Sequence, residues 1–580
     1  MPMPQVLERA PEYDVCIIGS GAGGGMAAYV LTQAGANVVM LEAGPMWDVT
    51  RDGAMFSWNY ESPRRGASTV ERPFGEFDAC YGGWEIPGEP YLKDEGTDWM
   101  WFRARMLGGR TNHWGRISLR FGPDDFKGKS RDGYGDDWPI GYEDLAPYYD
   151  KVDRLIGVFG SKDNFYNEPD GIFLPPPKPR CYELLVAKAC EKLGIPVLAS
   201  RLSILTRPLN GRPACHYCSQ CNRGCTVRAN FASSYVLIPP ALETGRLTII
   251  PNAMAREILV DENLRARGVS YIDKETMQER QVRARIVVLG ASACETARLL
   301  LNSRGPRYEN GLANSSGLVG RYLMDSTGTS VAGFIPALVK NLPHNEDGVG
   351  GMHIYIPWWA YNQKLDFPRG YHLEVWGGRR MPGYGFGAGI HRLNGRLPGP
   401  DGRPRPKGGG GYGLQLKEDY RQLYGAIVGF SGRGEMIARY ENYCTVDPNV
   451  VDRYGIPVLR FHVKWSDEEI RQARHMQETA REIIRAMGGE PLDEMPGPER
   501  GYGITKPGEI IHEAGTTRMG RDPKTSVLNP FCQAHDVPNL FVVDAGPFVS
   551  MPHKNPTWTI LALAWRTAEY IVEQRKQGNL

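Results

Sequence analysis

A chain of 580 residues exceeds what one hydrophobic core fills, so two intertwined domains are expected. A formal net charge of +2 gives no basic field for nucleic acid or an anionic membrane surface. An apolar content of 41% excludes a disordered chain despite 70 glycines and 44 prolines, and no apolar run reaches the length of a membrane span.

Residues 1–12 are polar, with no basic stretch leading into an apolar one, so no export signal is expected there. Tyr13–Ile18 then reads as a buried parallel strand. Gly19-Ser-Gly21-Ala-Gly-Gly24 follows at once and opens a helix over Met26–Gln33. Glycines at this spacing permit a tight turn and the close approach of a pyrophosphate, whose charge meets the helix N-terminus. A second strand, Ala36–Leu41, ends in Glu42, a carboxylate placed to accept both ribose hydroxyls of an adenosine. Strand, loop, helix and acid together predict a bound dinucleotide.

An aromatic-rich stretch from Trp58 to Trp101 is expected to act as a lid, and Leu174–Pro179 as a linker. Cys215, Cys218, Cys221 and Cys225 then fall within eleven residues, spaced C-x2-C-x2-C-x3-C. Soft thiolates this dense suit an iron–sulfur cluster. Structural zinc and plain buried thiols are the rival readings, although zinc usually takes its four thiolates as two pairs separated by a longer loop. Cys16 and Cys294 are expected to be buried free thiols, and a disulfide framework is not expected.

Ala253 and the strand-turn Ile286–Ala291, with Gly290 and Ala291 at its end, add to the expected nucleotide site. Between about Ser330 and Met495 strands alternate with aromatics: Trp358, Trp359, Tyr361, Trp376 and Tyr384, with Arg379, Arg380 and His391. Such groups stack on and bond to sugars, although tryptophans in a sheet are more often core. Arg396–Gly413 is a Gly/Pro/basic segment expected to be a surface excursion. The last strand, Leu540–Gly546, ends in Asp544-Ala545-Gly546, and Asn555-Pro556-Thr557 opens an apolar helix running to Tyr570. First and last segments building one site are typical of large flavoproteins, which favours FAD over NAD.

These motifs, with Leu107–Trp114 (Gly108, Gly109, Asn112, His113 and Trp114) and His512–Gly520, resemble the glucose–methanol–choline (GMC) oxidoreductases along essentially the whole chain. Within that family the likeness is to bacterial sugar dehydrogenase large subunits of the gluconate, fructose, FAD-glucose and glucoside 3-dehydrogenase type. The resemblance implies an α/β fold with a doubly wound FAD-binding domain from residues 12–120, 235–330 and 500–580. An α+β substrate domain with a mixed or antiparallel sheet would span 121–204 and 331–499, and the cysteine loop 205–234. It further implies FAD oxidising a ring hydroxyl of a sugar or glycoside to a ketone, with hydride passing to flavin N5. His512 takes the place of the catalytic base and Asn555 that of the positioning group. His553 is expected to be a neighbouring or rim residue. His113-Trp114 would lie over the flavin, with noncovalent FAD expected.

The similar enzymes carry cysteines spaced C-x5-C-x3-C for an iron–sulfur cluster, which Cys215, Cys221 and Cys225 match, leaving Cys218 as an extra thiol. The resemblance also implies an external acceptor such as a cytochrome. A small companion subunit bearing an export signal would place the enzyme in the periplasm; a cytoplasmic enzyme fits the sequence equally. Competing expectations are an oxygen-using sugar oxidase, a family member acting on a non-sugar alcohol, a lyase with a redox-silent flavin, and a non-enzymatic flavin module.

Overall fold

The computed structural model describes residues 12–55, 57, 61, 81–339, 348–378, 393 and 413–580. Arg379, Arg380, Tyr384, His391, Trp58 and nearly all of the Arg396–Gly413 segment fall outside the described residues.

The apolar run that opens the chain is the centre of a seven-stranded sheet. Glu12–Ile18 lies between Val38–Leu41 and the C-terminal half of Glu279–Leu289, parallel to both. Leu247–Ile250 extends the sheet beyond Val38–Leu41, and Leu540–Val542 pairs parallel to Val287–Leu289. The N-terminal half of Glu279–Leu289 turns antiparallel against Ala266–Asp273, which in turn pairs with Ala253–Val260. Strands buried on both faces read as unbroken apolar runs, as Val15–Ile18 and Ile286–Leu289 do. The glycine-loop helix, Ala22–Gln33, packs against the C-terminal helix, Thr557–Lys576, and Tyr29 meets Trp565 edge-on at 6.0 Å. The first and last segments of the chain therefore share one core, as the sequence predicts.

A second, six-stranded sheet is antiparallel throughout. Its order is Glu490–Pro491, Thr327–Phe334, Ile427–Gly434, Tyr371–Gly377, Ile354–Ile356 and Leu198–Ala199. Leu373, Val375, Val428 and Phe430 point from one face into a core with Met476, Ala480, Ile483 and Ile484 of the helix Asp467–Ala486. Because strand side chains alternate, His372, Glu374, Ser431 and Arg433 occupy the opposite face. That polar face looks toward the first domain.

The aromatics expected at the sugar are mostly structural. Trp358 and Trp359 pack with Phe367, Tyr371 and His475 against the second core. Tyr361 stacks on Tyr166 at the surface, 4.2 Å between ring centres. The described end of the Trp58–Trp101 stretch is core, with Trp99 stacked on Phe461 at 5.1 Å and Trp101 buried beside it. Leu174–Pro179 leads into the helix Cys181–Lys192 rather than directly to the cysteine loop. Cys16 and Cys294 are buried and free, as expected.

A buried ion pair anchors the segment just before Asn555. Lys554 is fully buried and its Nζ lies 2.6 Å from Asp125 Oδ2 and 3.5 Å from Glu168 Oε1. Replacing Lys554 by methionine leaves two carboxylates buried without it and should cost about 3–5 kcal/mol. The measurement is a fall in Tm of the flavin-loaded protein.

Candidate active site

The glycine loop is built as its spacing requires. Gly19 has φ +90°, and an added Cβ would lie 2.5 Å from Gly290 O, so only glycine turns there. At Gly24 an added Cβ would lie 1.9 Å from Gly19 O, which fixes how closely helix and strand approach. At Gly21 it would meet nothing within 4 Å, leaving open the side on which a pyrophosphate would rest. Ser20 stitches the loop together: its N–H and Oγ donate to Glu42 Oε2, and its Oγ accepts Gly108 N–H at 2.8 Å. Glu42 Oε1 accepts Gly44 N–H at 2.9 Å. Burial pushes the Glu42 carboxyl above the usual range against these hydrogen bonds.

A cavity of about 420 Å³ runs from this loop to the second sheet. Of the nucleotide residues expected from sequence, Gly19, Gly21, Glu42, Gly109, His113, Trp114, Ala253, Gly290, Ala291, Asp544, Ala545, Pro556 and Thr557 line it. Three lie behind the wall. Gly24 packs the helix, Gly108 bonds Ser20, and Asn112 Nδ2 donates to Leu107 O at 2.8 Å. Asp544 accepts Gly546 N–H at 2.8 Å and Thr296 Oγ1–H, and burial raises its carboxyl to about 6. The open face at Gly21, an acid at the second strand end and a cavity reaching Asn555 fit an extended FAD.

His512 and Asn555 converge at the far end, and both line the cavity. Asn555 Nδ2 stands 3.4 Å from His512 Nε2, and Asn555 Oδ1 is buried without a hydrogen-bond partner. His512 Nδ1 lies 2.8 Å from Ser326 Oγ, while Asp325 Oδ1 accepts His512 N–H at 2.9 Å. Asp325 Oδ2 also accepts Gly508 N–H at 2.8 Å and fixes the loop before the histidine. A proton on Nδ1, given to Ser326, leaves the Nε2 lone pair facing Asn555. Burial first, then Arg433 nearby, lowers the His512 pKa to about 3, so the imidazole is neutral. His113 is likewise held at about 3, by burial and by Arg116 and Arg110. His553 is buried, its ring centre 5.9 Å from that of His372, and its Nδ1 has no hydrogen-bond partner.

Sequence reading missed several groups that shape this end. Arg110 Nη1 pairs with Glu513 Oε2 at 2.7 Å, and Arg433 Nη2 with Glu374 Oε2 at 3.0 Å. All four line the cavity. Burial raises the Glu374 carboxyl, but Arg433 and His372 outweigh it and bring the group to about 2. The alternation His372-Leu373-Glu374-Val375 was the available signal.

The cysteine loop borders the same cavity through Asn222, on the turn Cys221–Arg223. Arg116, fully buried, spans the gap: Nη2 donates to Asn112 O at 2.8 Å and Nη1 to Trp114 O, with Asn222 Oδ1 at 3.5 Å. The thiols offer donors of the right softness, but they do not close on one point. Among the described residues no three His, Cys, Asp or Glu side chains are grouped to hold a metal ion. Cys218 Sγ lies 3.7 Å from Met55 Sδ, and Cys215 Sγ accepts Tyr217 N–H at 3.4 Å. Cys221 packs against Gly350, where burial raises its thiol to about 12. As placed, these side chains do not fit a cluster.

Comparison with known proteins supplies the family. The N-terminal GMC oxidoreductase profile matches residues 22–327 and the C-terminal one residues 439–564. The chain is similar to a 2-methyl-1,2-propanediol dehydrogenase of Mycolicibacterium austroafricanum, 30% identical over 97% of this chain and 95% of that one. It is similar to the fructose dehydrogenase large subunit of Gluconobacter japonicus, 27% identical over 97% and 98%. It is also similar to the gluconate 2-dehydrogenase flavoprotein of Pantoea cypripedii, 28% identical over 98% and 95%. Among the described residues no helix is long and apolar enough to cross a membrane. The chain belongs to the GMC oxidoreductase family and is an FAD-dependent oxidoreductase of CH–OH groups.

Proposed function

We propose that this protein is a dehydrogenase that oxidises a secondary hydroxyl of a sugar or glycoside to a ketone. The observation that carries this reading is the pairing of His512 Nε2 with Asn555 Nδ2 at 3.4 Å, at the end of a cavity that begins at the glycine loop. FAD, when bound, supplies the two-electron acceptor for the carbinol hydrogen. His512, neutral and desolvated, takes the hydroxyl proton at Nε2. Asn555 donates to the same oxygen from Nδ2 and so aims the carbinol hydrogen. Ser326 Oγ, 2.8 Å from Nδ1, can accept from a protonated Nδ1 and so hold that tautomer. Glu42 would hold the ribose hydroxyls of the bound FAD, and the N-terminal end of Ala22–Gln33 its pyrophosphate.

Two relatives support a sugar or sugar-acid substrate by name, and the propanediol dehydrogenase supports a small diol, which is the second reading. Anaerobic mixing with monosaccharides, glycosides and small diols decides between them. Sugars or glycosides should bleach the flavin and yield a keto product, whereas bleaching by small diols alone selects the second reading. Dye- or cytochrome-dependent turnover without peroxide in air supports a dehydrogenase over an oxidase.

We also propose that Cys215, Cys221 and Cys225, with or without Cys218, bind an iron–sulfur cluster in side-chain positions other than those described above. Support comes from the thiolate spacing and from Asn222, which brings this loop to the cavity wall. Anaerobically isolated protein should contain iron and acid-labile sulfide, and Cys221→Ser should lose most of both. An external acceptor and a companion subunit that carries the enzyme to the periplasm complete the proposal, in keeping with the large-subunit relative.

A further inference from the structure

Every charged side chain that the described residues bring to the reacting end of the cavity is half of an ion pair. Arg110 is matched by Glu513 and Arg433 by Glu374, while His512 is neutral. A substrate carboxylate or ammonium entering this space would have to break a pair or be buried without a counter-charge, and either costs several kcal/mol. A neutral substrate meets no such penalty.

The Arg433–Glu374 pair is also placed to read hydroxyls. Glu374 sits on Tyr371–Gly377 and Arg433 on Ile427–Gly434, where Arg433 is opposite His372 in register. The two are diagonal neighbours on the polar face, with Leu373 and Val375 anchoring the strand in the core behind them. Arg433 uses Nη2 on Glu374 at 3.0 Å and Nη1 on Gly432 O at 2.8 Å, out of five N–H donors. Glu374 accepts from Arg433 at Oε2 and has His372 Nε2 at 3.6 Å from Oε1, out of about four lone-pair sites. A donor and an acceptor held side by side match the oxygens of two adjacent hydroxyls. Both groups line the same cavity as His512 and Asn555, where the alcohol reacts.

We propose that Glu374 and Arg433 are the specificity dyad of this enzyme and select an uncharged polyol bearing a hydroxyl beside the one oxidised. The proposal rests on the alcohol-oxidising reading above and narrows it: neutral sugars, glycosides and vicinal diols are taken, while aldonates and amino sugars are not.

The test is kcat/KM of the FAD-loaded enzyme with a dye acceptor, using methyl glucoside, gluconate, glucosamine, 1,2-propanediol and 2-propanol. Wild type should prefer methyl glucoside or 1,2-propanediol over gluconate and glucosamine by about tenfold or more, the worth of roughly 1.4 kcal/mol. Glu374→Gln should cut the preference for 1,2-propanediol over 2-propanol by about 30-fold, as for loss of a hydrogen bond to a charged group. Glu374→Gln with Arg433→Gln, which leaves no lone buried charge, should lose the same preference and covers the case in which the single variant does not fold. Gluconate or glucosamine used as well as the neutral substrates would overturn the proposal. So would variants that lose both rates together with the preference intact, which marks a structural pair. If no alcohol bleaches the flavin in wild type, the alcohol-oxidising reading itself fails, and the dyad with it.

Discussion

His512→Ala should slow anaerobic flavin reduction by about 10²–10⁴-fold, the usual worth of a positioned general base. The flavin should remain bound, because the groups that face the nucleotide lie at the other end of the cavity. Ser326 and Asp325 fix the ring from behind, so the substitution removes the Nε2 lone pair without releasing the backbone that carries it. Added imidazole, small enough for the space vacated, should restore part of the rate. The wild-type pH profile gives a second readout. With burial and Arg433 holding His512 at about 3, the base stays unprotonated through the neutral range. The acid limb of kcat/KM should therefore lie well below the 6.5 of a solvent-exposed imidazole. Unimpaired flavin reduction in the alanine variant would remove His512 from the chemistry.

Much of this site was legible in sequence because its geometry is local. Gly19 and Gly24 announce a backbone path that side chains forbid, Gly21 leaves the pyrophosphate side open, and Glu42 follows at the end of the next strand. His512 and Asn555 were found through the resemblance, since forty-three residues and a change of element separate them. Groups whose role depends on sheet register were hidden. Ser326 reaches His512 across 186 residues, and no local pattern marks either it or Asp325. Glu374 and Arg433 stood in visible alternations, but which face meets the cavity follows only from packing of Leu373, Val375 and Phe430 against the helix Asp467–Ala486. Trp358 and Trp359 pack on the second core, the commoner reading for tryptophans in a sheet, because aromatic enrichment reveals burial and not which side is buried. In the cysteine loop, spacing names the ligand chemistry but not the side-chain rotations that would close it.

Gly23→Ala should abolish flavin retention and cost stability of about 3 kcal/mol or more, at the upper end of overpacking penalties. An added Cβ would lie 1.9 Å from Val543 O and 2.6 Å from Val543 C, so the obstacle is backbone rather than a side chain that can swing away. Val543 cannot retreat freely, because its N–H donates to Leu289 O at 2.8 Å in the parallel sheet. Displacement would pass to Asp544, which bonds Thr296 and Gly546 and lines the cavity. Gly21→Ala provides the contrast. Its Cβ meets no protein atom within 4 Å, so the fold should hold while the methyl intrudes on the pyrophosphate side. The pair separates scaffold from ligand contact: Gly23→Ala should lower both Tm and the 450 nm absorbance per protein, Gly21→Ala the absorbance and only the flavin-dependent part of Tm. Equal Tm losses in the two apoproteins would show that the helix–strand contact at Val543 is not what sets the position of the loop.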